Sequence, residues 1–232
     1  MKNSLNKILS VVVILALAIS FISNDRESVS YIVLATLLNL SYLFYYKSST
    51  SYRSMILDLA IFFYMIADIL LFLSTSGNVF FQIGVLLMSL ETILFTYLIF
   101  GCSEKIKTQY YFIGPILLLP YFMIMFSHVS ESLESLTWLI LLEIIVTLIL
   151  ATFSFAHFAK SPTLIDSFAL LGAIFLALNE LLSGYNFFYY QQRYFTYELT
   201  VTSILYHLFI LTFLINKLGH KEVLFYRNNK DL

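Results

Sequence analysis

Apolar residues run almost unbroken through this chain in blocks of about 18–22, each closed by a short cluster of charged or turn-forming residues. Eight such blocks are legible: roughly 5–23, 29–46, 55–74, 79–100, 109–127, 135–156, 164–183 and 196–216. A helix rising 1.5 Å per residue needs about 20 residues to cross some 30 Å of hydrocarbon, so each block has the length of a membrane span. The connections are short, which favours antiparallel neighbours in one bundle. The expected fold is an all-α, polytopic membrane bundle of eight transmembrane helices. It forms a single domain, 1–232, with a short tail at 217–232.

Composition strengthens this reading. The chain has 232 residues, of which 60% are hydrophobic and 12% charged, leaving no room for a separate soluble domain. A single cysteine, Cys102, excludes an internal disulfide framework and a Cys-based metal site. The charges are sorted by side. Eleven Lys and Arg residues fall at the N-terminus, in 47–54, 101–108 and 157–163, and in the tail; only Arg26 and Arg193 fall on the other side. The positive-inside rule therefore places both termini in the cytoplasm, which requires an even number of spans. The expected location is a cell membrane, of the bacterial inner-membrane type.

Lys2 and Lys7 ahead of Val11–Leu17 and Ala16-Leu17-Ala18 also fit a cleavable signal peptide. The apolar run continues to Ile22, long for a signal core, so a retained span is expected. No repeat, P-loop, Gly-rich dinucleotide turn or His/Cys metal spacing appears, and no cofactor or metal is implied. Without a basic aromatic patch, nucleic acid is not an expected partner. The tail's Lys, Arg and Tyr226 suit an anionic lipid surface.

The acidic residues carry the chemical signal. Seven of fourteen lie inside apolar blocks, namely Asp58, Asp68, Glu91, Glu143, Asp166, Glu180 and Glu198, while of the thirteen Lys and Arg residues only Lys7 does, at the edge of the first block. A charged carboxylate at mid-membrane costs about 2.5 kcal/mol or more. Such a group is normally protonated, hydrogen-bonded or turned toward a wet cavity.

Helical geometry separates the seven. Asp58 and Asp68 lie about 15 Å apart along the third block, with Asp58 at the cytoplasmic boundary and Asp68 well inside. Tyr64, one turn before Asp68, is placed to donate its hydroxyl. Glu91 falls near mid-membrane, and Glu143 lies inside the sixth block with Thr147 one turn on. Asp166 is explained by a helix's first turn. Glu180 and Asn179 end a stripe of Ala169, Ala173 and Ala177, small residues that let another helix approach closely. In the last block Glu198, Thr202 and Tyr206 share one face, and His207 shares nearly the opposite face with Thr200 and Ser203. Hydrogen bonds made for packing explain Glu91, Glu143 and His207 as well as proton transfer does. The segment Tyr185–Tyr197, which includes Arg193, is dense in aromatics. It reads as an interfacial anchor or as a substrate-entry rim with Tyr185, Arg193 and Glu198.

The order of these features resembles the YhhN-type lysoplasmalogenase family of eight-span membrane proteins. Ala67-Asp68-Ile69-Leu70-Leu71 is similar to that family's Gly-Asp pair followed by leucines. Phe81 and Gly84 match the next motif, where Met88, Thr92 and Phe95 replace its Phe, His and Tyr. Gly172-Ala173-Ile174-Phe175, ending in Asn179-Glu180, resembles the Gly-Ala, Phe, Ser-Asp pattern. Tyr206 aligns with a late Tyr, and Ile210 stands at the following Gln position.

The resemblance implies a hydrolase that cleaves the vinyl-ether bond of a lysolipid, with Asp68 and Glu180 catalytic on facing helices. Asp68, the deeper, would be the protonated acid and Glu180 the ionised partner. Glu91, Glu143, His207, Tyr64 and Asn179 would support them or relay protons. The expected partner is a membrane lipid or lysolipid. Two other classes fit the residues. A proton-coupled transporter would use the carboxyls and His207 as a path, and a non-catalytic lipid- or partner-binding protein would need neither the missing His nor the missing Gln.

Overall fold

A computed structural model describes residues 14, 29–49, 54–73, 79–102, 106–133, 137–185 and 193–228. Its helices are α1 (Val29–Ser49), α2 (Met55–Phe72), α3 (Val79–Gly101), a 3₁₀ turn (Thr108–Phe112), α4 (Ile113–Leu133), α5 (Thr137–Lys160), α6 (Leu164–Tyr185) and α7 (Arg193–Asn228). No strand occurs among the described residues. Among the described residues, four segments are long and apolar enough to cross a membrane: Val79–Gly101, Thr137–Lys160, Leu164–Gly184 and Val201–Leu218. The expected first span, 5–23, lies outside the described residues apart from Ile14, which is helical and buried.

Several boundaries differ from the hydropathy blocks. The fifth block opens with a 3₁₀ turn, and its helix continues past 127 to Leu133. The last helix is the larger correction. It covers 36 residues, from Arg193 in the expected aromatic loop to Asn228 in the expected tail. Residues 217–228 contain no proline and only one glycine, Gly219, so nothing local ends the helix where its hydrophobicity stops.

Six helices close into a ring. α1 packs on α2, α2 on α3, α3 on α5, α5 on α6, α6 on α7, and α7 returns to α1; α3 and α7 also meet across the middle. α4 lies outside the ring, on α5 and the edge of α6. Its Ile116, Leu117 and Met123 face outward, as do Phe80, Ile83 and Tyr97 of α3. In a bilayer such faces meet lipid, so burying apolar area drives packing weakly and close backbone approach matters more.

Glycine and alanine make that approach possible. A Cβ on Gly172 of α6 would stand 2.6 Å from Ile210 Cδ1 of α7, and one on Gly84 of α3 would stand 2.8 Å from Leu71 Cγ of α2. Gly114 lies against the α5 backbone, 3.0 Å from the Ala151 carbonyl oxygen by the same construction. Ala169, Ala173 and Ala177 are all buried, so the small-residue stripe of α6 does face protein. Local capping completes the fold. The Ser54 hydroxyl accepts from the Leu57 N–H to start α2, and the Ser54 N–H donates to the Tyr46 hydroxyl of α1 at 2.6 Å.

Candidate functional site

The ring's interior holds a carboxyl–imidazole contact where α3 meets α7. Glu91 Oε1 and His207 Nε2 are 2.7 Å apart, and each side chain is only 1% exposed. His207 Nδ1 lies 2.7 Å from the Ser203 carbonyl oxygen, one turn back on α7. A carbonyl can only accept, so Nδ1 carries a proton. Nε2 and the Glu91 carboxyl then hold one further proton between them. Either a carboxylic acid donates to neutral imidazole, or imidazolium donates to carboxylate. The pair is neutral in both forms, which is how an embedded acid escapes the cost of a lone charge.

Aromatic rings surround the imidazole. Tyr42 of α1 stacks on it at 5.2 Å, Tyr64 of α2 lies 4.0 Å away, and Tyr206 and Phe95 stand at 4.6 and 6.3 Å. Tyr42 and Tyr206 are almost fully buried. The Tyr64 hydroxyl bonds to Ser203 Oγ at 2.6 Å. Ser203 is thus a partner that the sequence reading of Tyr64, centred on Asp68, did not include. A tyrosine side chain on a helix reaches across to the neighbouring helix more readily than along its own axis.

Asp68 lies on the α2 side of this centre, close enough to Tyr42 and Tyr64 to interact with both. It is half-buried, and Asn39 Nδ2 of α1 makes a long contact to its Oδ2, 3.5 Å. Glu143 and Glu180 lie on the opposite side. Ser89 Oγ of α3 donates to Glu143 Oε1 at 2.7 Å, and the Thr147 hydroxyl of α5 donates to Glu180. The two carboxyls also interact directly, and Glu143 is near enough to Glu91 to feel its charge. Tyr206 lies beside Thr92 and within electrostatic reach of Glu91, Glu143 and Glu180.

The structure gives the two carboxyls expected to act together different neighbours. Their helices, α2 and α6, do not pack along each other in the ring. Asp68 interacts with Tyr42 and Tyr64, whereas Glu180 interacts with Thr147 and Glu143. Both hydrogen-bonding positions on the facing helices were legible as single polar residues, but a one-dimensional pattern gives azimuth and depth without helix order. Tyr42, Asn39 and Ser89 were not singled out from sequence. Their signal was only that each is polar within an apolar block, as many bystanders are.

The remaining candidates fall elsewhere. Asn179 ties α6 to α7, its Nδ2 donating to the Leu199 carbonyl at 3.3 Å while its Oδ1 accepts from Ser183. Glu198 is exposed. The side chains of Tyr185 and Arg193, and residues 186–192 between them, lie outside the described residues, so the rim expectation does too. Asp166, expected only to favour a helix start, is also an ion-pair partner. Lys217 Nζ lies 2.7 Å from its Oδ1, His157 Nδ1 lies 3.8 Å away, and Thr163 Oγ1 donates to its Oδ2 at 2.6 Å. Asp58 pairs loosely with Lys47 at 3.9 Å, both exposed.

Fold and site together define a class: an all-helical protein with, among the described residues, four helices long and apolar enough to cross a membrane, whose ring interior carries buried carboxyl, imidazole and phenol side chains. Comparison with protein-family models, curated proteins and solved structures finds no match for this chain.

Proposed function

We propose that this chain is an eight-span membrane protein with cytoplasmic termini, of the bacterial inner-membrane type. We propose further that it is a lysoplasmalogenase-like hydrolase that cleaves the vinyl ether of a lysolipid by acid–base chemistry. The observation that carries the reading is the buried Glu91–His207 contact, one proton shared between two groups in an apolar interior, with Asp68 on one side and Glu143–Glu180 on the other.

A vinyl ether is hydrolysed by adding a proton to its β-carbon. The π electrons form the new C–H bond and leave an oxocarbenium ion, which water captures to give a hemiacetal. The hemiacetal collapses to an aldehyde and a glycerol hydroxyl. The first step needs an acid held in protonated form away from water, which the Glu91–His207 pair supplies. Asp68, beyond the Tyr42 and Tyr64 rings, is placed to stabilise the cation. Glu180, with Glu143, takes the base role. The resemblance contributes Asp68 and Glu180; the geometry adds Glu91 and His207.

The assay is aldehyde release from a 1-alkenyl lysophospholipid by the purified protein. Wild type should release aldehyde, while Glu91→Gln and Asp68→Asn should each lose about 10²-fold or more in kcat. Full retention in both variants refutes the assignment. The line of groups from Asp68 to Glu180 also suits a proton-coupled transporter. Uptake driven by a pH gradient in proteoliposomes, without aldehyde release, would favour that reading.

A further inference from the structure

Two buried oxygen atoms on the Glu143 side of the ring are left over by the hydrogen-bond pattern. The Tyr206 hydroxyl, on a side chain 2% exposed, has no well-aligned partner, although Thr92 lies beside it. Glu180 Oε2 is likewise buried without one, its Oε1 being taken by Thr147. Tyr206 stands on α7 directly before His207 and lies within electrostatic reach of Glu91, Glu143 and Glu180. Buried polar atoms in native proteins are almost always satisfied, and a small molecule with both donors and acceptors satisfies a hydroxyl and a carboxyl oxygen together.

We infer that Tyr206 and Glu180 bind a water molecule between the two acid–base centres, and that this water is the nucleophile of the hydrolysis. The inference rests on the hydrolase reading and gives the second carboxyl pair its task. The Glu91–His207 proton adds to the β-carbon of the vinyl ether. A lone pair of the held water then forms the C–O bond to the oxocarbenium carbon, and the water's proton passes to the Glu143–Glu180 pair. That pair thereby gains one proton. Return of one proton to Glu91–His207 restores the starting state, so the cycle consumes water and no net proton. Ser89 joins the two centres: it stands two residues before Glu91 on α3 and donates to Glu143. Other ionisable groups facing this space are Tyr42 and Tyr64, on the far side of His207.

Tyr206→Phe deletes the hydroxyl and keeps the ring that packs edge-on against Phe95 at 6.0 Å. Two measurements test the inference. Infrared difference spectra between H₂¹⁶O and H₂¹⁸O report an isolated, strongly bonded water without requiring turnover. Such a band is expected in wild type, and it should be lost in Tyr206→Phe and in Glu180→Gln. Its absence from wild type, or its persistence in both variants, overturns the water site. On a 1-alkenyl lysophospholipid, Tyr206→Phe should lose about 10²-fold in kcat with KM unchanged. A band that obeys these expectations in a protein releasing no aldehyde would keep the site and reject the hydrolase reading. If Tyr206→Phe does not fold, Glu180→Gln alone decides by the same two readouts.

Discussion

Removing both members of the Glu91–His207 pair should cost far less than the sum of removing each. The contact is 2.7 Å long, each side chain is 1% exposed, and no solvent screens it. Glu91→Ala leaves Nε2 of His207 buried and unpaired; His207→Ala leaves a carboxyl in the same position. An orphaned neutral group costs about 1–3 kcal/mol, and an orphaned charge about 3–5 kcal/mol. The double variant orphans neither. A coupling energy of about 2–4 kcal/mol is therefore expected between the two sites, in a cycle that cancels the ring contacts His207 makes on its own. The assay is the unfolding free energy of the four proteins, titrated with a denaturing detergent in mixed micelles. Glu91→Gln is the control: its amide N–H still donates to Nε2, so it should stay within about 1.5 kcal/mol of wild type. Additive losses, with coupling below about 0.5 kcal/mol, would refute the argument that these groups share a proton in a dry interior.

Lys217→Ala should destabilise the protein by about 3 kcal/mol, because Asp166 is 1% exposed and would lose the ammonium 2.7 Å from its Oδ1. A second change, Asp166→Asn, should restore most of that loss. Lys47→Ala, at an exposed pair 3.9 Å apart, should cost under about 1 kcal/mol in the same detergent titration, and an equal cost at both sites would contradict the burial argument. Gly172→Val should cost about 1–3 kcal/mol by pushing on Ile210, whereas Gly101→Ala, with open space around its Cβ, should be neutral or slightly stabilising. Thermal unfolding of both variants checks the contrast, and a stable Gly172→Val would show that α6 and α7 do not need their close approach.

Hydropathy located α3, α5 and α6 to within a few residues, because an apolar block of fixed length is itself the physical requirement for a span. It failed on α7. The helix already begins at Arg193, ahead of the apolar block, and Lys217 onward is polar yet helical; a helix leaving the apolar zone keeps its backbone hydrogen bonds. For the site, the embedded carboxyls were legible and their partners were not. The small-residue stripe on α6 correctly marked a protein-facing surface, and Gly172 with Ile210 shows why. It could not say that Glu180 meets α5 rather than α2, because that depends on the order of helices around the ring.

The sequence shows seven acids within apolar blocks against one Lys or Arg, Lys7 at a block edge, and that count overstates the imbalance for a geometric reason. Lys217 sits just past the last apolar block, but its chain of methylenes reaches back to Asp166 with the ammonium 2.7 Å from Oδ1. His207 supplies a base that a count of Lys and Arg omits. Lys47 meets Asp58 from the preceding helix. Beyond these pairings, Glu198 is exposed on α7, while Asp68, Glu143 and Glu180 lie on helices of the ring and interact with groups that border the Glu91–His207 contact. Acids kept only for packing would be free to settle at any helix interface, including those of α4. The described part of α4 places no carboxyl in the interior, while α2, α3, α5 and α6 each direct one toward the same centre. That concentration, more than the number of acids, is the feature that any function proposed for this chain has to explain.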